Sequence, residues 1–131
     1  MSKYQEITRE GLDKLMDSFY AKVRADKGEL GAIFRDTIGD DDESWEKHKQ
    51  KIGAFWGGIF LGEQEYRGAP LRAHLDLPPF PRELFSIWLN LFAQSVQQIF
   101  EAPCARQILQ RAQAIAERFQ YVLYDMPHKE S

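Results

Sequence analysis

Apolar residues recur at helical spacing along almost the whole chain, and no stretch shows the alternation of a convincing strand. That one periodicity restricts the fold to helices packed on helices. Over residues 8–25 the stripe is Leu12, Leu15, Met16, Phe19, Tyr20 and Val23, the spacing of one buried helix face. Thr8 suits its N-cap, and Gly11 is a weak point early on. Residues 42–61 put Trp45, His48, Ile52, Phe55, Trp56 and Ile59 on one face. Residues 81–100 carry Leu84, Phe85, Trp88, Leu91, Phe92, Val96 and Ile99, and residues 105–124 carry Ile108, Leu109, Ala112, Ile115, Ala116, Phe119 and Leu123. Between these stripes lie the breaks. Lys27-Gly28-Glu29-Leu30-Gly31 interrupts the pattern, so residues 32–34 read as a short helical turn. Gly39-Asp40-Asp41-Asp42 is a loop whose acids suit a helix N-terminus. Gly57 and Gly58 sit inside a helical pattern, as expected where backbone must approach another body closely. Pro70 opens a short helix over 70–75, stopped by the stiff, extended Asp76-Leu77-Pro78-Pro79-Phe80-Pro81. Pro103 is expected to end the region before the last helix. The expectation is an all-α protein of three to four long helices, forming a single domain over residues 1–131.

Composition narrows the function classes. The net charge of −3 gives no overall basic field, which disfavours nucleic acid as a partner. The longest uncharged runs, 52–62 and 84–100, are short of the ~18 residues of a membrane span. The first residues, Met1-Ser2-Lys3-Tyr4-Gln5-Glu6, lack a hydrophobic signal core, so the expected location is the cytoplasm. A single cysteine, Cys104, excludes an internal disulfide and reads as a structural or surface thiol. Neither a Gly-rich dinucleotide motif nor a P-loop occurs. The acid run lacks the spacing of an EF-hand, and two histidines with a solitary cysteine do not close a zinc site. The aromatic fraction, 13%, is more than a small core needs unless that core surrounds something large and flat.

Three histidines are available, and His128 follows Pro127 in a tail expected to be solvent-exposed. His48 is in the middle of an apolar stripe, and His74 is on the short helix with rigid punctuation behind it. The plain reading of each is a satisfied core or surface histidine. The sharper reading starts from Tyr20, His48 and Trp88, polar groups on inward stripes. Enclosed without partners, each would cost ~1–3 kcal/mol. A bound polar ligand inside the cavity resolves that cost, and a haem is one candidate: it needs an axial imidazole, flat apolar walls and distal donors. His74 suits the axial nitrogen. The His48 helix, with Ile52 and Phe55, suits the opposite wall. Tyr20 and Trp88 suit donors to a bound, partly anionic oxygen. A haem-free helical interaction module, its aromatic stripes being plain core, is the alternative from another class.

The segments Phe19-Tyr20-Ala21-Lys22-Val23-Arg24, Ile33-Phe34, His48-Lys49-Gln50-Lys51-Ile52-Gly53-Ala54-Phe55-Trp56, Pro70-Leu71-Arg72-Ala73-His74-Leu75-Asp76-Leu77-Pro78-Pro79-Phe80-Pro81 and Phe85-Ser86-Ile87-Trp88, in this order, resemble the truncated haemoglobins, and most of all their third, bacterial group. The resemblance runs from about Tyr4 to Tyr124 and is most specific at His74–Pro81. It implies a two-over-two helical sandwich around haem b, with His74 as the proximal iron ligand. It implies a distal pocket of Tyr20, His48, Ile52 and Trp88, with Phe34 packing on the porphyrin. Lys51 and Arg72 are similar to basic residues near the haem propionates, the alternative being solvated surface cations. Phe19, Phe55 and Trp56 line the cavity or belong to the core. The glycine pairs that the first two groups carry at interhelical corners are missing; Gly57-Gly58 lies within a helix instead, which weakens any carry-over of a long ligand tunnel. His48 is left open between pointing inward, swinging to solvent and binding iron. The implied function is binding of O2, NO or CO at a five-coordinate iron in a cytoplasmic monomer. The alternative is peroxidase-like or nitric-oxide-detoxifying turnover supplied with electrons by an external reductase, because no flavin or nicotinamide motif is present.

Overall fold

The computed structural model describes residues 2–64, 66, 68, 70–75, 77 and 79–125. Asp76, Pro78, Pro127 and His128 lie outside the described residues. The helices are α1 (Arg9–Ala25), α2 (Glu29–Ile38), α3 (Asp42–Phe60), α4 (Pro70–Leu75), α5 (Glu83–Ile99) and α6 (Ala102–Gln120), with a π-helical turn at Tyr121–Asp125. Among the described residues the only strand-like pairing is an isolated bridge between Tyr4 and Phe100. It pins the N-terminal segment to the α5–α6 corner through Tyr4 N–H to the Ile99 carbonyl and Glu101 N–H to the Tyr4 carbonyl, both 2.9 Å.

Two helix pairs make the body: α1 packs on α3, α5 packs on α6, and α1 crosses α5 to join the pairs. The stripes expected from periodicity meet at this crossing. Leu12, Leu15, Phe19, Val23, Phe92, Val96, Phe100 and Ile108 are each at most 1% exposed. One polar cluster sits in the same layer. The Lys22 amine donates to Ser18 Oγ at 2.9 Å, Ser95 Oγ at 2.8 Å and Gln98 Oε1 at 3.1 Å. That contact satisfies Ser95, the buried polar side chain of the core.

Local chemistry explains the ends of the helices. Thr8 caps α1, its Oγ1 accepting from Gly11 N–H at 3.0 Å. Asp41 caps α3, accepting from Ser44 N–H at 2.9 Å. Gly57 is required by a close approach. A Cβ there would run into the Glu63 carboxylate, which accepts from Arg9 at 2.5 Å, while the other Arg9 prong donates to the Gly53 carbonyl at 3.0 Å. The body that this glycine admits is therefore an ion pair linking α1 to the segment after α3.

Three local expectations change. The short turn at 32–34 is in fact the 10-residue helix α2. The Asp26 carboxylate accepts from Gly28 N–H at 3.2 Å and Gly31 N–H at 2.9 Å, so glycines that read as a break open a helix instead. A Cβ on Gly31 would collide with the Asp26 carbonyl, which explains a glycine inside the first turn. Pro103 does not end a region; it occupies the first turn of α6, where its missing N–H has no intrahelical partner to lose. The last α-helix stops at Gln120, and residues 121–125 continue as the π-helical turn.

Candidate functional site

A cavity of about 240 Å³ opens where α1, α2 and α3 face α4, α5 and α6, and its lining is overwhelmingly apolar. Of the residues singled out from sequence, Tyr20, Phe34, His48, Lys51, Ile52, Phe55, His74 and Trp88 all line it. Trp56 contributes an edge, although it is buried in the core and stacked on Phe92. Phe19 is behind the wall, edge-on to Tyr20 and Trp88. Arg72 is exposed on α4 and is not part of the lining. Cys104 is buried in the core, away from the cavity.

Helix α4 presents His74 to the cavity, one turn beyond Pro70. The His74 Nδ1 is 2.7 Å from the Pro70 carbonyl oxygen. A carbonyl only accepts, so Nδ1 carries the proton. Burial lowers the pKa of the ring, outweighing the opposite pull of the Pro70 carbonyl, and so favours neutral imidazole. The tautomer is therefore fixed and Nε2 keeps its lone pair, which is the orientation a metal-binding histidine adopts when its other nitrogen donates to backbone. Phe119 packs on the ring at 4.8 Å between centroids, and Phe85 stacks near it at 6.3 Å.

Tyr20 and His48 form a second polar pair in the cavity wall. Tyr20 is 4% exposed on α1, with its hydroxyl 3.2 Å from His48 Nε2 on α3. Burial pushes the Tyr20 phenol up, well above its ordinary range. Burial, with help from nearby Lys51, lowers the pKa of His48 to about 4. Both groups are thus uncharged at neutral pH, and one neutral hydrogen bond joins them. The partner that a buried Tyr20 hydroxyl requires is consequently His48, so the protein itself satisfies this pair. Trp88, half-buried on α5 and stacked on Phe92 with ring centres 5.0 Å apart, brings an indole to the same cavity.

Sequence pattern does not single out Tyr66, Leu77, Phe80, Phe85 or Phe119 as site residues, yet all of them line the cavity. Phe85 and Phe119 are on helical stripes, and only their proximity to His74 distinguishes them from ordinary core. Tyr66 belongs to a segment without periodicity, and it reaches the wall by packing edge-on to Phe55 at 5.4 Å. No sequence signal marks it.

A flat prosthetic group makes three demands on such a chamber, and each is met. The lining is apolar, one imidazole has a fixed tautomer and a free lone pair, and the other polar groups of the Tyr20–His48 pair are uncharged donors or acceptors. The residues present fit a haem. No family profile matches the chain. A curated relative, a group 3 truncated hemoglobin of Campylobacter jejuni, is 53% identical over 122 residues, covering 93% of this chain and 95% of that protein. The crystal structure of a group III truncated hemoglobin from Campylobacter jejuni superposes with a TM-score of 0.92 at 51% identity, covering 98% of this chain and all of that one. Identity and coverage of that extent, on two helix pairs enclosing a histidine-bearing cavity, place the chain in the group III truncated haemoglobins.

Proposed function

We propose that the chain holds haem b through the Nε2 atom of His74 and binds diatomic gases, O2 foremost with NO and CO, in the same cavity. The observation that carries this reading is the 2.7 Å contact between His74 Nδ1 and the Pro70 carbonyl, which leaves the opposite ring nitrogen unprotonated inside an apolar chamber. Membership in the truncated haemoglobins implies haem-based ligand binding and supports the assignment. Haem supplies an iron centre that takes up small gases reversibly.

The chain's own residues do the rest. Phe34, Ile52 and Phe55 provide apolar surface that accepts a flat ring and keeps water out. Lys51, exposed at the cavity edge, and Arg72, exposed on α4, provide cations for the propionate groups. With Nε2 of His48 engaged by Tyr20, His74 would be the one imidazole left to hold the haem iron. Tyr20 retains its proton because burial raises its pKa, so with its oxygen accepting from His48 Nε2–H it offers its own O–H to a diatomic guest, and Trp88 offers an indole N–H. Donors of this kind in a dry cavity slow the release of a polarised guest. That favours gas chemistry over simple transport, and a second reading follows from it: peroxidase-like or nitric-oxide-detoxifying turnover, driven by an external reductase.

Titration of the purified protein with hemin tests the first reading. A strong Soret band saturating at one haem per chain is expected, together with loss of the histidine-ligated spectrum in His74→Ala. A preparation that stays colourless with hemin, or the same axial coordination in His74→Ala, overturns it.

A further inference from the structure

The end of α6 is tied to the start of α5 by contacts that enclosing a cavity does not require. Beyond Gln120 the helix widens into the π-helical turn Tyr121–Asp125. Such turns are rare and occur often at functional sites. Here the turn brings two side chains onto the entrance of α5. Asp125 receives both prongs of Arg82, Nη1 at 2.9 Å and Nη2 at 2.5 Å, while Arg82 Nε donates to Gln120 Oε1 at 3.0 Å. The Tyr124 hydroxyl donates to the Phe80 carbonyl at 2.9 Å, and the Arg82 guanidinium lies over the Tyr124 ring at 5.6 Å.

From there the contacts run inward. The Tyr124 ring stands edge-on to both Phe80 and Phe85, each with centroids 6.2 Å apart. Phe85 also packs on Phe80 at 5.8 Å and stacks near His74 at 23°. Tyr124 is therefore one ring removed from the imidazole. The Phe80 carbonyl that it grips belongs to the connector between α4, which carries His74, and α5. An exposed ion pair contributes little to stability unless its geometry is bidentate, and this one is bidentate. Its value is in orientation.

We propose that Tyr124, Arg82 and Asp125 form a clasp that positions the His74 imidazole, acting through the Phe85 ring and the Phe80 carbonyl. These are positioning residues, since none of them lines the cavity. The inference rests on His74 being the axial ligand, and its test is built to fail separately. In the haem-loaded ferrous protein, resonance Raman reads the iron–histidine stretching band, and transfer to an excess of a haem-scavenging apoglobin reads haem release. Tyr124→Ala is expected to shift that band and to speed release by about threefold to tenfold, the effect of losing one hydrogen bond and its packing. Tyr124→Phe, which keeps the ring, is expected to shift the band less, and Arg82→Lys, which keeps charge without the two-pronged geometry, to fall in between. A band at the wild-type position in Tyr124→Ala overturns the clasp, whether or not release accelerates, because faster release alone is what a merely structural brace would give. If Tyr124→Ala does not fold, the band positions of Arg82→Lys and Tyr124→Phe decide the question in the same way. If His74→Ala keeps the wild-type axial band, the ligand assignment fails first, and the clasp with it.

Discussion

Replacing Tyr20 with Phe removes one oxygen atom and leaves the packing in place. The ring is 4% exposed, edge-on to Phe19 at 4.9 Å, to Trp45 at 6.3 Å and to Phe34 at 6.2 Å, and Phe fills the same volume. Only the 3.2 Å contact to His48 is lost. Two consequences follow, and they differ in size. In the haem-free protein a neutral hydrogen bond disappears while His48 stays half-buried and keeps access to solvent, so the cost is about 0.5–1.5 kcal/mol. In the haem-loaded protein the proposed function makes the phenol a donor to a polarised guest. A hydrogen bond to a charged acceptor contributes about 1.5–3 kcal/mol, which converts to roughly a tenfold to hundredfold faster release.

The two effects are separable by assay. Urea denaturation of the haem-free variant reads the first, and stopped-flow displacement of O2 by CO reads the second. The expected pattern is a small loss of stability with a large gain in O2 dissociation rate, and little change in CO dissociation, since CO carries less charge. Unchanged O2 release in Tyr20→Phe, with Trp88→Phe also unchanged, refutes the donor role. Equal acceleration of O2 and CO refutes it too, because that outcome reports altered access rather than a lost hydrogen bond.

The pKa of His48 makes stability depend on pH. The folded haem-free protein holds it near 4 against an ordinary value of 6.5, so between those limits the unfolded chain binds more protons. Stability is therefore lost as pH falls from about 6.5 towards 4, by about 2–3 kcal/mol, and His48→Gln should flatten most of that slope in urea titrations at a series of pH values. Gly57→Ala forces a methyl group into the Arg9–Glu63 pair and should cost about 1–3 kcal/mol by thermal or chemical denaturation; a neutral result would show that the pair is free to move aside. Lys22→Met keeps the alkyl stem and removes three donors to Ser18, Ser95 and Gln98, for an expected loss of about 1–2 kcal/mol, and a more stable variant would mean that burying the amine costs more than its bonds return.

Stripes were legible where burial follows a single helix face. The limits of α1 and α3 and the extent of α4 match the periodicity to within a residue, because Thr8, Asp41 and Pro70 are residue types whose local chemistry starts helices. The opening of α2 was not legible. Gly28 and Gly31 carry the signature of a break, and the carboxylate that turns them into a helix start belongs to Asp26, which lies outside the stripe. The same physics hid the start of α6, since a proline in a first turn and a proline after a last turn look alike until the cap is seen.

Within the cavity, legibility divides by chemistry. His48, Tyr20 and Trp88 stand out because each places a polar atom on an apolar stripe, and a polar atom there demands a partner, whereas His74 stands out by its place on a short helix with stiff punctuation behind it. A guest is not the only group that can meet that demand: Tyr20 and His48 satisfy one another, which corrects the expectation that every enclosed donor waits for a ligand. Phe85 and Phe119 give no comparable signal, since a phenylalanine that orients an imidazole and one that merely fills space have the same spacing and hydropathy. Their role depends on which ring lies beside them, a fact of tertiary geometry: 4.8 Å from Phe119 to His74, and a near-parallel Phe85 on which Tyr124 in turn stands edge-on. What sequence can reveal about such a site is the group that needs holding. What holds it is written in contacts between residues that, taken singly, are ordinary.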